Sequence, residues 1–257
     1  VYTDDQQLEH NLKFDFSMTG DDGRELRPMF GKGLTGLKNL GNSCYMASVM
    51  QTLLALPAFR NRYFSSSARN HSKSCDKLPA DCLECQMLKL ADGLISGRYS
   101  VLAKPPPVTN SLKRPDPPKF QEGVRPAQFK ALIGKGHSEF STMRQQDSQE
   151  FFLHVMDKLR KEATRLNLNP VLEPTKIFQF GFEERLECNS CHRVGYKESP
   201  ADDVSLPVEA VPNGSKDDGT QKYKSISLEQ CFRDLTASER LTDYKCEICK
   251  RTVTATK

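Results

Sequence analysis

From Met46 the apolar residues recur as Val49, Met50, Leu53, Leu54 and Leu56, a spacing of three and four that lines one face of a helix before Pro57 stops it. Upstream the pattern turns polar, with Gly36, Gly41 and Asn42, so Cys44 falls where a glycine-containing turn becomes an amphipathic helix. Asn42 or Ser43 is the expected N-cap. A loop from Ser65 to Ser74 precedes a second helical run, from about Asp81 to Leu94, with Met87, Leu88, Leu90, Ala91 and Leu94 apolar. Helical spacing returns at Ala127 to Ile133 and after Asp147, where Phe151, Phe152, Val155, Met156 and Leu159 form a core-facing stripe of about four turns. Asp147 and Glu150 have the spacing of a reciprocal cap.

From Thr175 the period shifts towards two. Ile177, Phe178, Phe180 and Phe182 read as one strand, and Val204, Leu206 and Val208 alternate as another. Val211 to Thr220 reads as an exposed loop, and Ser225 to Leu235 as a short helix capped by Ser227, with Leu228, Cys231, Phe232 and Leu235 facing inward. Residues 1 to about 33 form an acidic, Gly-rich lead-in. Six prolines between Lys104 and Lys119 mark a surface excursion. There is no internal repeat and no coiled-coil heptad. The fold class expected is α+β.

At 257 residues the chain can bury a real core in one large domain or two modest ones. Its formal charge of +4, from 37 basic and 33 acidic residues, is mild and dispersed, so no nucleic-acid partner is expected. No leader-like segment opens the chain and no stretch reaches the length of a membrane span. A soluble intracellular protein without a membrane partner is the expectation.

Nine cysteines then change the picture. Cys44, in the first turn of its helix, would meet unpaired N–H groups and the positive end of the helix dipole. Both favour thiolate over thiol and make a nucleophile chemically plausible; the alternative is a buried core thiol. Cys188-Asn189-Ser190-Cys191 and Cys246-Glu247-Ile248-Cys249 are two Cys-x-x-Cys knuckles with 54 residues between them. Two such knuckles supply the four sulfurs of a closed tetrahedral zinc site, so the cofactor expected is a structural zinc; the rivals are a redox dithiol or two ordinary thiol pairs. Cys82 and Cys85 could join His71 and Cys75 in a second site, but they open a helical run whose cysteines can face the core, and core packing is the reading taken. Cys231 is also read as packing.

The stretch from Gly36 to Met46 resembles the cysteine box of the ubiquitin-specific proteases, papain-like deubiquitinating enzymes. Phe129 to His137, Phe140-Ser141-Thr142, Arg144 to Asp147, Gln149 to His154 and Gly93 to Ser100 look like the isopeptidase T branch, whose members disassemble unanchored polyubiquitin. The resemblance covers the chain from about Gly33 to Thr252. It implies a fingers-palm-thumb architecture: a lead-in over 1–33, a helical thumb over 34–174, and zinc-bearing antiparallel fingers with an incomplete palm over 175–257. Cys44 would be the nucleophile that attacks the carbonyl after ubiquitin's terminal glycine. Asn39 matches the asparagine that helps hold the oxyanion, while Gln145 and Asp147 match positions that grip ubiquitin's arginine-rich tail. Ubiquitin and polyubiquitin are the implied partners, and the cytoplasm, with the nucleus as an alternative, is the implied compartment. Family members complete the machinery with a histidine and an Asp or Asn well after the second knuckle. None of His10, His71, His137, His154 or His192 sits in such a motif, so a C-terminal remainder of the catalytic domain is expected as a further partner. A catalytically silent ubiquitin-binding scaffold of the same fold is the runner-up.

Overall fold

The computed structural model describes residues 28–66, 68–103, 121–215 and 221–257, which divide into two compact units, 28–177 and 178–257. Nearly all of the lead-in, His10 included, and the proline-rich excursion lie outside the described residues. The first unit is helical: α1 (Cys44–Ala55), α2 (Pro57–Tyr63), α3 (Ala68–Ser74), α4 (Leu83–Ile95), α5 (Ala127–Ile133) and α6 (Ser148–Arg165). Its core is made where α1 packs on α6 and α4 on α5. Met46, Met50, Leu53 and Leu54 of α1 and Phe151, Val155, Met156 and Leu159 of α6 are buried, as are Met87, Leu90, Leu94, Phe129 and Ile133. Most of these positions are ones that the spacing of three and four selected, but Val49, Leu56 and Phe152, which it also selected, are only half-buried.

Pro57 does end α1, but it also starts α2. The residue before a proline is pushed out of the helical region, and Leu56 is extended (ψ 135°); the proline ring then occupies the first position of the next helix, where no N–H is needed. The loop expected over Ser65–Ser74 contains α3, a short helix with no apolar stripe to betray it. A parallel bridge between Leu37 and Val124 clamps the approach to the Cys44 turn, through Lys38 N–H to Val124 O (2.8 Å) and Val124 N–H to Gly36 O (2.9 Å).

The second unit is a sheet unit. An antiparallel sheet in the order β2-β1-β6-β5 uses β1 (Phe180–Cys188), β2 (Val194–Ala201), β5 (Arg240–Cys246) and β6 (Arg251–Thr256). A two-stranded sheet pairs β3 (Pro212–Ser215) with β4 (Gln221–Tyr223), and α7 (Leu228–Leu235) follows. Four expectations fail here, three in the strands and one in α7. The strand predicted from Ile177 begins only at Phe180, because Pro174–Phe178 forms a 3-10 turn. Val204, Leu206 and Val208 lie in irregular chain; Pro207 lacks the N–H that a ladder needs, and the strand is instead β2, which tolerates Pro200 because it is an edge strand. Residues 212–215, read as loop, pair with β4. Ser227 caps α7 as predicted, its hydroxyl accepting from Gln230 N–H (3.1 Å). Only Cys231 of the predicted inner face is buried, while Leu228, Phe232 and Leu235 are exposed. Among the described residues no helix is long and apolar enough to cross a membrane.

Candidate active site and metal-ligand clusters

The turn before α1 is locked from one side chain. The Asn39 Oδ1 accepts from Gly41 N–H (3.0 Å), Ser43 N–H (3.1 Å) and the Ser43 hydroxyl (3.1 Å), while Ser43 Oγ accepts from Leu40 N–H (2.9 Å). Gly41 (φ 94°) and Asn42 (φ 53°) take left-handed backbone, open to glycine and tolerated by asparagine. Ser43 is thus the N-cap residue by position, but its buried hydroxyl serves the turn rather than the helix. The first helical bond runs from Ala47 N–H to Ser43 O, which leaves the N–H groups of Cys44, Tyr45 and Met46 ahead of it without intrahelical acceptors. Cys44 is exposed and Tyr45 beside it is buried, so the thiol is not a core residue.

Tyr45 seats on an aromatic cluster: its ring centroid lies 5.2 Å from Phe151 and 6.0 Å from Phe140, and those two rings are 5.2 Å apart. The cluster ties the start of α1 to α6 and to the loop between α5 and α6. That loop is held by a buried lysine. Lys130 sits on the inner face of α5 beside Phe129 and Ile133, and its Nζ donates to Thr142 O (2.6 Å) and Phe140 O (3.5 Å). Burial lowers its pKa. Gly134 allows the loop to close: a Cβ there would stand 2.4 Å from Phe140 O. Lys130 supports the loop without having been singled out in the sequence, where a lysine at an apolar helical position was the available signal, and Asn42, expected only as a possible N-cap, instead braces the turn from its side chain.

Asn42 Nδ2 donates to Met143 O (3.0 Å), joining the Cys44 turn to the loop that runs directly into Gln145 and Asp147. Gln145 is exposed, whereas Gln146 is turned onto Glu139 O (3.2 Å) and Thr142 Oγ1 (3.3 Å). Asp147 caps α6, with Oδ1 accepting from Gln149 N–H (2.7 Å) and Glu150 N–H (3.1 Å), the forward half of the predicted reciprocal cap. The two nearby histidines are structural. His137 Nδ1 accepts from Glu139 and Phe140 N–H (3.3 Å each) and its ring stacks on Phe140 at 4.2 Å, while His154 Nε2 donates to Ile133 O (2.8 Å). Burial lowers the His154 pKa against the opposing pull of that carbonyl. Among the described residues no histidine is hydrogen-bonded to Cys44.

In the sheet unit the two knuckles are built alike. Cys188-x-x-Cys191 closes the β1–β2 hairpin with His192 in left-handed backbone and its N–H on Cys188 O (2.8 Å). Cys246-x-x-Cys249 closes the β5–β6 hairpin with Lys250 left-handed and its N–H on Cys246 O (3.0 Å). Pairing of β1 with β6, Cys188 opposite Ala255, sets the hairpins side by side. The four sulfurs lie within 4.8 Å of one another, with Cys188–Cys249 at 3.9 Å and Cys191–Cys246 at 3.8 Å. A tetrahedron of bonds of about 2.3 Å has edges of about 3.8 Å, so the donors already stand at zinc spacing. The backbone N–H of Cys249 on the Cys246 sulfur (3.4 Å) lowers the pKa of that thiol to about 7, while the neighbouring Cys191 sulfur and burial push Cys249 up to about 12.

The helical unit departs from expectation at its own cysteines. Cys82 and Cys85 are buried, as core packing predicts, but they do not pack alone: His71, Cys75, Cys82 and Cys85 bring four ligand atoms within 4.8 Å of one another, with His71 Nε2 3.3 Å from Cys82 Sγ. The helix α3, unseen in the sequence, is what carries His71 there.

Residues 35–252 match the family described as ubiquitin carboxyl-terminal hydrolase. Ubiquitin carboxyl-terminal hydrolase 14 of Schizosaccharomyces pombe is 41% identical over 250 residues, 97% of this chain and 31% of that protein. Ubiquitin carboxyl-terminal hydrolase 5 of Homo sapiens is 38% identical over 195 residues, 76% of this chain and 22% of that protein. The chain therefore spans about a third or less of these relatives. Among solved structures, the SAGA Ubp8/Sgf11/Sus1/Sgf73 DUB module bound to ubiquitin aldehyde shares the fold, with a TM-score of 0.58 at 22% identity over 88% of this chain and 44% of that one. With a helical unit, a cysteine-bearing sheet unit and a family match over most of its length, this chain belongs to the ubiquitin carboxyl-terminal hydrolase family.

Proposed function

We propose that this chain is the nucleophile-bearing part of a thiol-dependent deubiquitinase of the isopeptidase T branch, acting on unanchored polyubiquitin. The helical unit serves as thumb and the sheet unit as fingers with part of the palm. The observation that carries this reading is the exposed Cys44 at the first position of α1, at the end of a turn locked by Asn39. Its thiolate attacks the carbonyl carbon after ubiquitin's terminal glycine, and a C–S bond forms as the carbonyl electrons move to oxygen. Asn39 Nδ2, the end of the amide not spent on the turn, and the N–H groups at the start of α1 meet that charge. Collapse breaks the C–N bond, the amine leaves with a proton, and water releases the thioester. The histidine that moves these protons and its Asp or Asn partner belong to a C-terminal remainder of the domain, and the open apolar face of α7 fits a partner of that kind. Gln145 and Asp147 receive ubiquitin's tail. Cys188, Cys191, Cys246 and Cys249 hold a zinc whose chemistry is structural, since four protein ligands leave no place for water.

The test is a full-length protein incubated with ubiquitin that carries an electrophile at its C-terminus. Wild type should be labelled and C44A should not; equal labelling of the two would remove Cys44 as nucleophile. Binding of ubiquitin without labelling of wild type would favour the silent scaffold.

A further inference from the structure

The helix α3 has no ordinary reason to be where it is. Its sequence, Ala-Arg-Asn-His-Ser-Lys-Ser, carries no large apolar residue, and seven residues are too few for a helix to persist on propensity alone. The loop that follows is tied to α4 by one polar contact, Gln86 Nε2 to Pro79 O (2.6 Å), and not by apolar packing: Leu78, its one large apolar residue, is 72% exposed. Yet α3 lies against α4. What it presents there is His71, with Cys75 just past its end. What α4 presents in return is Cys82 at its N-cap and Cys85 in its first turn, 1% and 5% exposed. The segment thus has an inner surface made of ligand atoms in place of a core.

We propose that His71, Cys75, Cys82 and Cys85 form a second zinc site, within the helical unit, that clamps α3 and the loop to Cys82 onto α4. Three sulfurs and one imidazole nitrogen are a zinc donor set, and the His71 Nε2 to Cys82 Sγ separation of 3.3 Å is near the edge of about 3.5 Å expected for a tetrahedron with one nitrogen and three sulfur ligands. The four converge from two neighbouring elements, whereas a disulfide would use two and strand the others. On binding, each thiol gives its proton to solvent, and zinc with three thiolates carries one net negative charge. Arg62 and Arg165 lie close enough for their charge to be felt at His71, and each is also paired, with Glu84 and Glu162. All four positions are filled by protein, so the ion is structural and its removal loosens the segment without touching the Cys44 turn directly.

Zinc content of the full-length protein tests this by difference. H71A should hold one equivalent fewer than wild type, and H71C, which keeps a ligand, should restore it; C188S/C191S should lose a separate equivalent. A folded H71A with undiminished zinc overturns the proposal. Because variants can misfold, hydrogen exchange of the wild-type protein gives a second arm: a chelator should speed exchange at amides across residues 68–85 by at least tenfold, and added zinc should reverse it. Unchanged exchange there after complete removal of zinc would also overturn it.

Discussion

Asn39 uses the two ends of its amide differently. Its oxygen accepts three donors and holds the turn, which leaves Nδ2 for the oxyanion role proposed above. Two substitutions separate these uses. N39A removes the acceptor, so it should cost about 1–3 kcal/mol of stability as well as rate. N39D keeps an acceptor and loses the donor, so it should leave the melting temperature near wild type and lower kcat about 10²–10³-fold. Equal losses of stability in both would show that the residue is only a brace. The observed cap and the proposed tail contact of Asp147 can be separated in the same way. Asparagine caps a helix as well as aspartate does, so D147N should preserve stability while weakening the grip on an arginine-bearing tail, read as a raised KM; D147A should also cost about 1 kcal/mol. His154 gives a pH dependence. Its folded pKa lies below the unfolded value of about 6.5, so the unfolded chain takes the proton first and stability falls as pH drops through that range. His137 and Lys158 facing it add to this, and Asp157 opposes it. The fall in melting temperature from pH 7 to pH 5 should be shallower in H154Q.

At the scale of elements, the α5–α6 loop depends on one lysine and one glycine. K130M keeps the apolar stem in place but strips the donor from Thr142 O, and should cost about 1–3 kcal/mol in denaturant unfolding. G134A forces a methyl onto Phe140 O and should cost at least as much. These dependencies also show what a sequence can reveal. Elements with an apolar stripe, α1, α4, α5 and α6, were legible because burial and spacing are the same fact seen twice. The elements that misled were held by other means: α2 by a proline that both ends and begins a helix, α3 by its ligand cluster, and β2 at an edge where Pro200 is harmless. The Cys44 turn and the four knuckle cysteines were legible because their chemistry needs particular residues at short spacing. The support from Asn42 was not, since its partner at Met143 lies 101 residues away.

At the scale of the molecule, the two units answer to different forces. The helical unit has a buried apolar core, whereas the strands of the sheet unit are largely exposed and converge on four sulfurs. Removing zinc from Cys188, Cys191, Cys246 and Cys249 should therefore abolish a lower calorimetric transition belonging to residues 178–257 and leave a transition of the helical unit; a single transition that does not move would contradict that assignment of the metal. The side-by-side hairpins also have a consequence in time. During synthesis the first knuckle leaves the ribosome with two thiols and no counterpart, and the tetrahedron cannot close until more than fifty further residues have been added. Loop closure of that length costs only about 1 kcal/mol more than closure of a loop of fifteen residues, so the penalty is not mainly thermodynamic. It is exposure: a nascent chain carries an open, oxidisable half-site until its second hairpin arrives.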